Sequence, residues 1–371
     1  MAARISVQGM EAEAVCFTDR LDDVTERDLR QICGSALMRD RHIRIMPDVH
    51  ANGDGSLTGF TMLSQEPVIL KLEYGSGCGV ACAELDLKSG ASVDMQRLDS
   101  LCHEIPAGAG NGYFEPAYEY DFSVLRCFGH VSSHYEWPAA LGTLGGGNHF
   151  IELDSDDDGR LYLVVHNGLG GLSRPVVNHY LDMVLAGTGR TVRQACMEET
   201  CLYGRERDDY LHDMKVFEDV CRVNRRYIID HIVRGMGWEI ADYLDICHHC
   251  TDESDGIVRH GAIAAHEGRR VIIPVNAGEG CILGTGRGDP DWNYSAPHGG
   301  GRLFSRTDAK RKLSMEQYRK SMQGVYTTTV ADSNLDEAPA AYKTMDFITR
   351  AIRDTVEIDK IIRPVYSYKG M

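Results

Sequence analysis

The sequence predicts one domain of α+β or irregular α/β class, in which mixed sheets and helices carry converging glycine-rich loops. Three observations lead there. Helix-like and strand-like segments intersperse without a regular βαβ period. No composition break or low-complexity linker divides residues 1–371. Glycine-rich turns recur at 53–59, 75–79, 142–147, 168–171, 278–288 and 299–301, several beside histidines or cysteines. Glycine at that density allows close backbone approach, so several loops are expected to meet at one site. No Rossmann fingerprint and no Gly-Lys-Ser/Thr phosphate loop is present.

Short apolar runs predict strands at 67–72, 149–153, 161–166, 270–274 and 361–367. Helices are expected over 175–187 and 214–234. The second carries Val216, Phe217, Val220, Ile228, Ile229, Ile232 and Val233 and is stopped by Gly235 and Gly237. Residues 314–322 and 340–356 also read as helical.

Apolar content of 43% and charged content of 25% match an ordinary globular protein. No stretch approaches the length of a bilayer span, and the first residues lack the apolar core of a secretory signal, so a cytoplasmic location is expected. The 12 cysteines are then read as reduced thiols and potential metal ligands, not as a disulfide framework. A net charge of −16 argues against a generally basic nucleic-acid coat. It leaves room for a local one. Residues 302–320 hold seven basic side chains (Arg302, Arg306, Lys310, Arg311, Lys312, Arg319, Lys320) against Asp308 and Glu316.

That basic stretch adjoins the run Ser295-Ala-Pro-His298-Gly-Gly-Gly-Arg302-Leu-Phe-Ser-Arg306. Three glycines after His298 leave no side-chain wall on that flank, so a bulky ligand can approach the ring. Arg302 and Arg306 follow at helical spacing, suited to gripping phosphate oxygens. The pattern points to an imidazole nucleophile that accepts a nucleotidyl or phosphoryl group, against the plainer reading of a glycine turn before a basic helix.

A second constellation is a hairpin. The acidic, glycine-ended stretch Asp154-Ser-Asp-Asp-Asp-Gly159 separates two strand-like runs and signals a turn. Centring it between residues 157 and 158 sets His149 opposite His166, where two imidazoles share a sheet face. They then either ligate metal or end the sheet as satisfied histidines. Cys78, between glycines, is an accessible thiol. His248 and His249 lie between Cys247 and Cys250, and strand alternation brings only one of the two histidines to a common site.

Together these residues resemble the RtcB family of GTP- and manganese-dependent RNA ligases, in the family's order and over nearly the whole chain. The matching segments are Met46-Pro-Asp-Val-His50, Cys78-Gly-Val80, Leu141-Gly-Thr-Leu-Gly-Gly-Gly-Asn148-His149-Phe, Val165-His166, Asn224-Arg225, Cys247-His-His249, His260-Gly-Ala, Ile272-Ile-Pro274, His298-Gly-Gly-Gly-Arg302, Ala341-Tyr-Lys343 and Lys369-Gly370. The resemblance implies an RtcB-like fold and particular roles. Cys78, His149, His166 and His249 match metal ligands, the cysteine bridging two manganese ions. His298 matches the histidine that GTP guanylylates, and Asp48 and His50 belong to a catalytic-centre motif. Asn148, Glu152, Tyr342 and Lys369, with Gly299 and Gly301 of the His298 loop, match GMP-holding positions, and Arg302 and Arg306 lie near the RNA phosphate path.

The implied activity joins RNA 3′-phosphate or 2′,3′-cyclic phosphate ends to 5′-hydroxyl ends, in RNA repair or tRNA maturation, with GTP as co-substrate. The chain departs from the family's pattern in places. Gly75 stands where the family has an aspartate three residues before the bridging cysteine, which removes one oxygen ligand of the second manganese, and Glu73 lies two residues further back. Leu169-Gly170 stands where a serine and an arginine are usual, Cys250 where asparagine is, and Asn276 and Cys281 where two serines of the nucleotide loop are. Cysteine and histidine ligands also suit zinc. Two other readings follow from these departures: a metal- and RNA-end-binding protein without ligation, and a metal-dependent phosphohydrolase of cyclic-phosphate ends.

Overall fold

The computed structural model describes residues 3–52, 56–63, 66–72, 77–88, 90, 92–107, 116–192, 194–252 and 254–370. Gly75 and Glu73 therefore lie outside the described residues. Two large sheets dominate. The first runs β1 (Ile5–Gln8), β2 (Glu13–Cys16), β3 (Ile43–Ala51), β4 (Leu57–Leu63), β10 (Ile257–His260), β9 (His249–Asp252) in spatial order. The second runs β8 (Ile240–Cys247), β5 (Gly79–Leu85), β7 (Leu161–Asn167), β6 (Phe150–Ser155), β13 (Val356–Lys369), β12 (Gly280–Gly286), β11 (Arg270–Asn276). Among the described residues of these two sheets, only β2 and β3 pair in parallel. The helices are α1 (Asp23–Ile32), α2 (Met95–Glu104), α3 (Gly170–Leu185), α4 (Gly204–Met236), α5 (Arg306–Lys312), α6 (Met315–Ser321) and α7 (Met345–Ala351). This is the mixed, irregular α+β order expected. No helix among the described residues is long and apolar enough to cross a membrane.

β8 and β9 follow one another across a single residue yet belong to different sheets, so the chain crosses between the sheets at His248. The His248 amide donates to the Cys78 carbonyl at 3.0 Å, and the Gly261 amide donates to the His248 carbonyl at 2.8 Å. The seam between the sheets is thus hydrogen-bonded at the crossing residue.

Elements read from sequence shift in instructive ways. The helix expected at 214–234 runs from Gly204 to Met236, because its charged first turns also pack an apolar face. Tyr210, Met214 and Phe217 enter one core cluster, and Ile228, Ile229, Ile232 and Val233 another, beneath Ala81, Leu163 and Val165. Burying each such aliphatic or aromatic side chain is worth roughly 1.5–3 kcal/mol, which holds a 33-residue helix whose exposed face is polar apart from Val223. The helix expected at 340–356 is only Met345–Ala351, capped by the Thr344 side chain after a Pro339 turn. The strand expected at 361–367 extends over Val356–Lys369, and that at 67–72 shortens to Val68–Ile69. Helix α1, N-capped by the Asp22 side chain, and strands β1 to β4 lie outside the elements expected from the sequence.

The hairpin register is shifted by one residue from that expected. Asp156 accepts from the amides of Asp158 and Arg160, both at 3.0 Å, and Gly159 takes φ +75°. His166 therefore faces Phe150, not His149.

Candidate active site

Asp48 reaches the site through a break in pairing. The β3–β4 register shifts between Ile45 and His50, where Pro47 has no amide proton to give a ladder. The strand there turns the fully buried Asp48 carboxylate onto the His298 loop. Asp48 Oδ2 accepts from His298 Nδ1 at 2.6 Å, the His298 amide at 3.1 Å and the Gly299 amide at 3.3 Å. A carboxylate on Nδ1 fixes the proton there and leaves Nε2 with its lone pair free. His298 keeps 15% of its side-chain surface exposed, towards a cavity of about 880 Å³.

The three glycines after His298 serve packing as well as access. A Cβ on Gly300 would stand 2.3 Å from the Val275 carbonyl oxygen, and one on Gly301, at φ +68°, 2.2 Å from that of Asp48. The loop lies directly on β11 and β3 because nothing larger fits there.

Across the cavity, Cys78 Sγ lies 3.3 Å from His166 Nε2 and 3.6 Å from His149 Nε2. His149 arrives through the bend before β6, its Nδ1 bonded to the Leu144 carbonyl at 2.9 Å, so the two imidazoles meet Cys78 despite the shifted hairpin. Gly168 allows this approach, since a Cβ there would sit 2.8 Å from Cys78 Sγ. His248 completes a compact group with Cys78 and His166, whose ligand atoms all lie within 4.8 Å of one another. The resemblance pointed to His249 instead. His249 lines the same cavity, but its ring stacks edge-on 4.5 Å from His260, and its buried Nδ1 has no hydrogen-bond partner. The backbone bond from His248 to Cys78 ties that residue to the segment carrying the thiol.

Burial holds His149 down at about 4 and His166, His248 and His249 well below the usual imidazole range, so all four rings are neutral at pH 7 and have lone pairs to donate. Burial pushes the Cys78 thiol up to about 12, so a cation bound there must displace its proton. One thiol with neutral imidazoles fits a borderline divalent metal ion, and the orphaned Nδ1 of His249 offers a further donor.

A buried ionic network forms the wall at α5 and the segment before α7. Glu337 accepts from the Tyr342 hydroxyl and from Arg306, and from Arg302 Nη1 at 3.2 Å; Lys369 Nζ lies 3.5 Å away. Arg302 also donates to the carbonyls of Phe304 and Asp336 and to the Tyr342 hydroxyl, so its donors are committed within the protein. Arg306 is half-exposed and shared with Asp336, and Lys310 also pairs with Asp336. The basic run read from the sequence is partly neutralised by these acids. Of the other expected nucleotide positions, Asn148, Glu152 and Asn276 line the cavity. Asn276 also caps its own turn, accepting from the Gly278 and Glu279 amides. Cys281 is fully buried, grouped with Glu152 and Asp154 below the floor.

Positioning falls to residues to which the sequence assigned no role. Asn224 accepts from the Gly142 amide at 2.6 Å and donates to the Thr143 carbonyl at 2.8 Å. Arg225 forms a two-point ion pair with Asp245 and donates to the carbonyls of Gly77 and Asn167. Helix α4 thereby clamps the segments flanking Cys78, His149 and His166. Lys343 donates to the Pro47 and Val49 carbonyls and so brackets Asp48. Glu337 had no signal beyond an acidic pair before Pro339.

A sequence profile of the family described as tRNA-splicing ligase RtcB matches residues 128–370. The chain belongs to the RtcB family. Relatives include an RNA-splicing ligase RtcB of Escherichia coli K12, 26% identical with 89% of this chain and 90% of the relative covered. The tRNA-splicing ligase RtcB of Archaeoglobus fulgidus is 24% identical over 98% of this chain and 95% of its own length. That of Aeropyrum pernix is 23% identical, covering 88% and 87%.

Proposed function

We propose that this RtcB-family chain is an RNA ligase that works through a covalent His298–GMP adduct and seals RNA 3′-phosphate or 2′,3′-cyclic phosphate ends to 5′-hydroxyl ends. The observation that carries the reading is the Asp48–His298 pair at 2.6 Å beside a large cavity. An anchored Nδ1–H leaves Nε2 to attack the α-phosphorus of GTP; an N–P bond forms and the bond to pyrophosphate breaks. GMP then passes to the oxygen of an RNA 3′-phosphate, restoring the imidazole. A 5′-hydroxyl attacks that activated phosphorus, loses its proton and expels GMP. A cyclic end is first opened by water.

Cys78, His149, His166 and His248 or His249 would hold manganese, which when bound supplies charge neutralisation at phosphate oxygens. The chain's own residues orient and enclose. Arg306 and Lys312 face the cavity as phosphate partners, while Arg302 holds Glu337 and Tyr342 in place. Lys369, Tyr342, Asn148 and Glu152 surround the space available to a guanine nucleotide.

The test uses GTP labelled in the α-phosphate, with manganese. Wild type is expected to retain label covalently and His298→Ala to retain none, with circular dichroism unchanged. Label on His298→Ala at the wild-type level would remove the assignment. Wild type that takes label but cannot seal 3′-phosphate to 5′-hydroxyl RNA would favour an end-binding protein, and cyclic-end hydrolysis without labelling a phosphohydrolase.

A further inference from the structure

The tetrapeptide Cys247-His-His-Cys250 spans the seam between the sheets, and its four side chains divide between two places. The His248 ring lies 4.7 Å from that of His298 and 5.1 Å from that of His166, and the His249 ring meets His260. The two thiols meet elsewhere. Cys247 Sγ, Cys250 Sγ and a carboxylate oxygen of Glu218, from the middle of α4, all lie within 4.8 Å of one another. That group shares no residue with the Cys78, His166 and His248 group.

We propose that Cys247, Cys250 and Glu218 form a second metal site, for a zinc-type divalent cation, which staples helix α4 to the β8–β9 corner.

Ligand chemistry supports this. Two thiolates and one carboxylate are a borderline-soft donor set, and zinc takes sulfur at about 2.3 Å and oxygen at about 2.0–2.2 Å. A tetrahedron of those bonds needs its ligand atoms roughly 3.3–3.8 Å apart, so small rotations of these side chains close the site. Glu218 is 7% exposed and is held by Lys215, whose side chain is 63% exposed and free to swing into solvent. A buried carboxylate facing two thiols gains from a cation between them. The nearby Arg225 does not supply it, because its guanidinium is committed to Asp245 and to the Gly77 and Asn167 carbonyls. The long contact from Cys247 Sγ to the His249 carbonyl, 3.5 Å, costs little to give up. The half-buried cysteines leave room for water as a fourth ligand.

The location gives the site its consequence. Residues 248 and 249 sit inside the loop that the two thiols would close, so a bound cation fixes the backbone that aims both histidines into the cavity. The ion would be structural, and distinct from the one held at Cys78.

The experiment loads full-length protein, stripped with chelator and kept in reductant, with zinc against a competing chromophoric chelator, and repeats the loading with cobalt. Cys78→Ala disables the first site, and His166→Ala replaces it should that chain not fold. Either background is expected to keep one tight zinc equivalent and to show sulfur-to-cobalt charge-transfer absorption. Adding Cys250→Ser should abolish the equivalent and lower that absorption; adding Glu218→Gln should weaken binding while leaving the absorption. Zinc binding indifferent to Cys250→Ser overturns the proposal. So does a Cys247–Cys250 disulfide, 2 Da lighter by mass, that persists under the loading conditions, because that pair would then be a redox couple.

Discussion

Asp48 concentrates three hydrogen bonds from the His298 loop on one oxygen while Oδ1, equally buried, has none. This asymmetry is affordable only because the carboxylate sets the histidine's tautomer. Asp48→Asn keeps the shape but can present an amide donor to Nδ1, which moves the ring proton to Nε2. Label transfer from GTP is expected to slow by about 10–100-fold, with protein-bound metal unchanged; a wild-type rate would mean that His298 needs no anchor. Lys343, alongside, carries a pH signature. Burial lowers its ammonium to about 8 from 10.5, so between those values the unfolded chain holds a proton that the folded chain has released. Stability from this group therefore rises as pH climbs from about 8 towards 10.5, by at most about 1.4 kcal/mol per pH unit. Burial pushes several cysteine thiols up from 9.0, which pulls the other way above that pH, so across the range the wild-type denaturant midpoint should gain on that of Lys343→Met.

Among the elements, the His298 loop is held by what it lacks. Gly301 adopts φ +68° and leaves no space beside the Asp48 carbonyl, so Gly301→Ala combines backbone strain with a clash against the strand that supplies Asp48. A loss of about 1–3 kcal/mol is expected, read as a lowered melting temperature with impaired label transfer; a neutral variant would show that the loop can lift from β3. The hairpin shows how close an argument from turn chemistry came. The acidic stretch does turn, but Asp156 caps it and the register moves by one residue, which sets Phe150 opposite His166.

At the scale of the molecule, the cavity exists because β3, β5, β6, β7, β9 and β11 bring their ends or bulges to the seam where the two sheets meet. Cys78, His149, His166 and His248 come from four separate segments and touch only there. Single removal of His149 or His166 should therefore lower manganese content measured by elemental analysis, since each takes one imidazole nitrogen from beside the Cys78 thiol. Unchanged metal in both variants would reduce them to buried structural histidines.

The sequence by itself determined the class of fold, most of the long helix α4, the hairpin, and the choice of His298, Cys78 and the Cys-His-His-Cys run as candidates. These are local signals: apolar periodicity, turn residues, and reactive side chains set among glycines. Tertiary structure decided that Asp48 belongs to His298, that His248 groups with Cys78 and His166, and that Arg302 is bound to Glu337. Those pairings join residues from 35 to 250 positions apart in the chain. Their geometry rests on a missing ladder bond at Pro47, a one-residue turn shift and a strand that changes sheets, none of which leaves a periodic trace in the sequence.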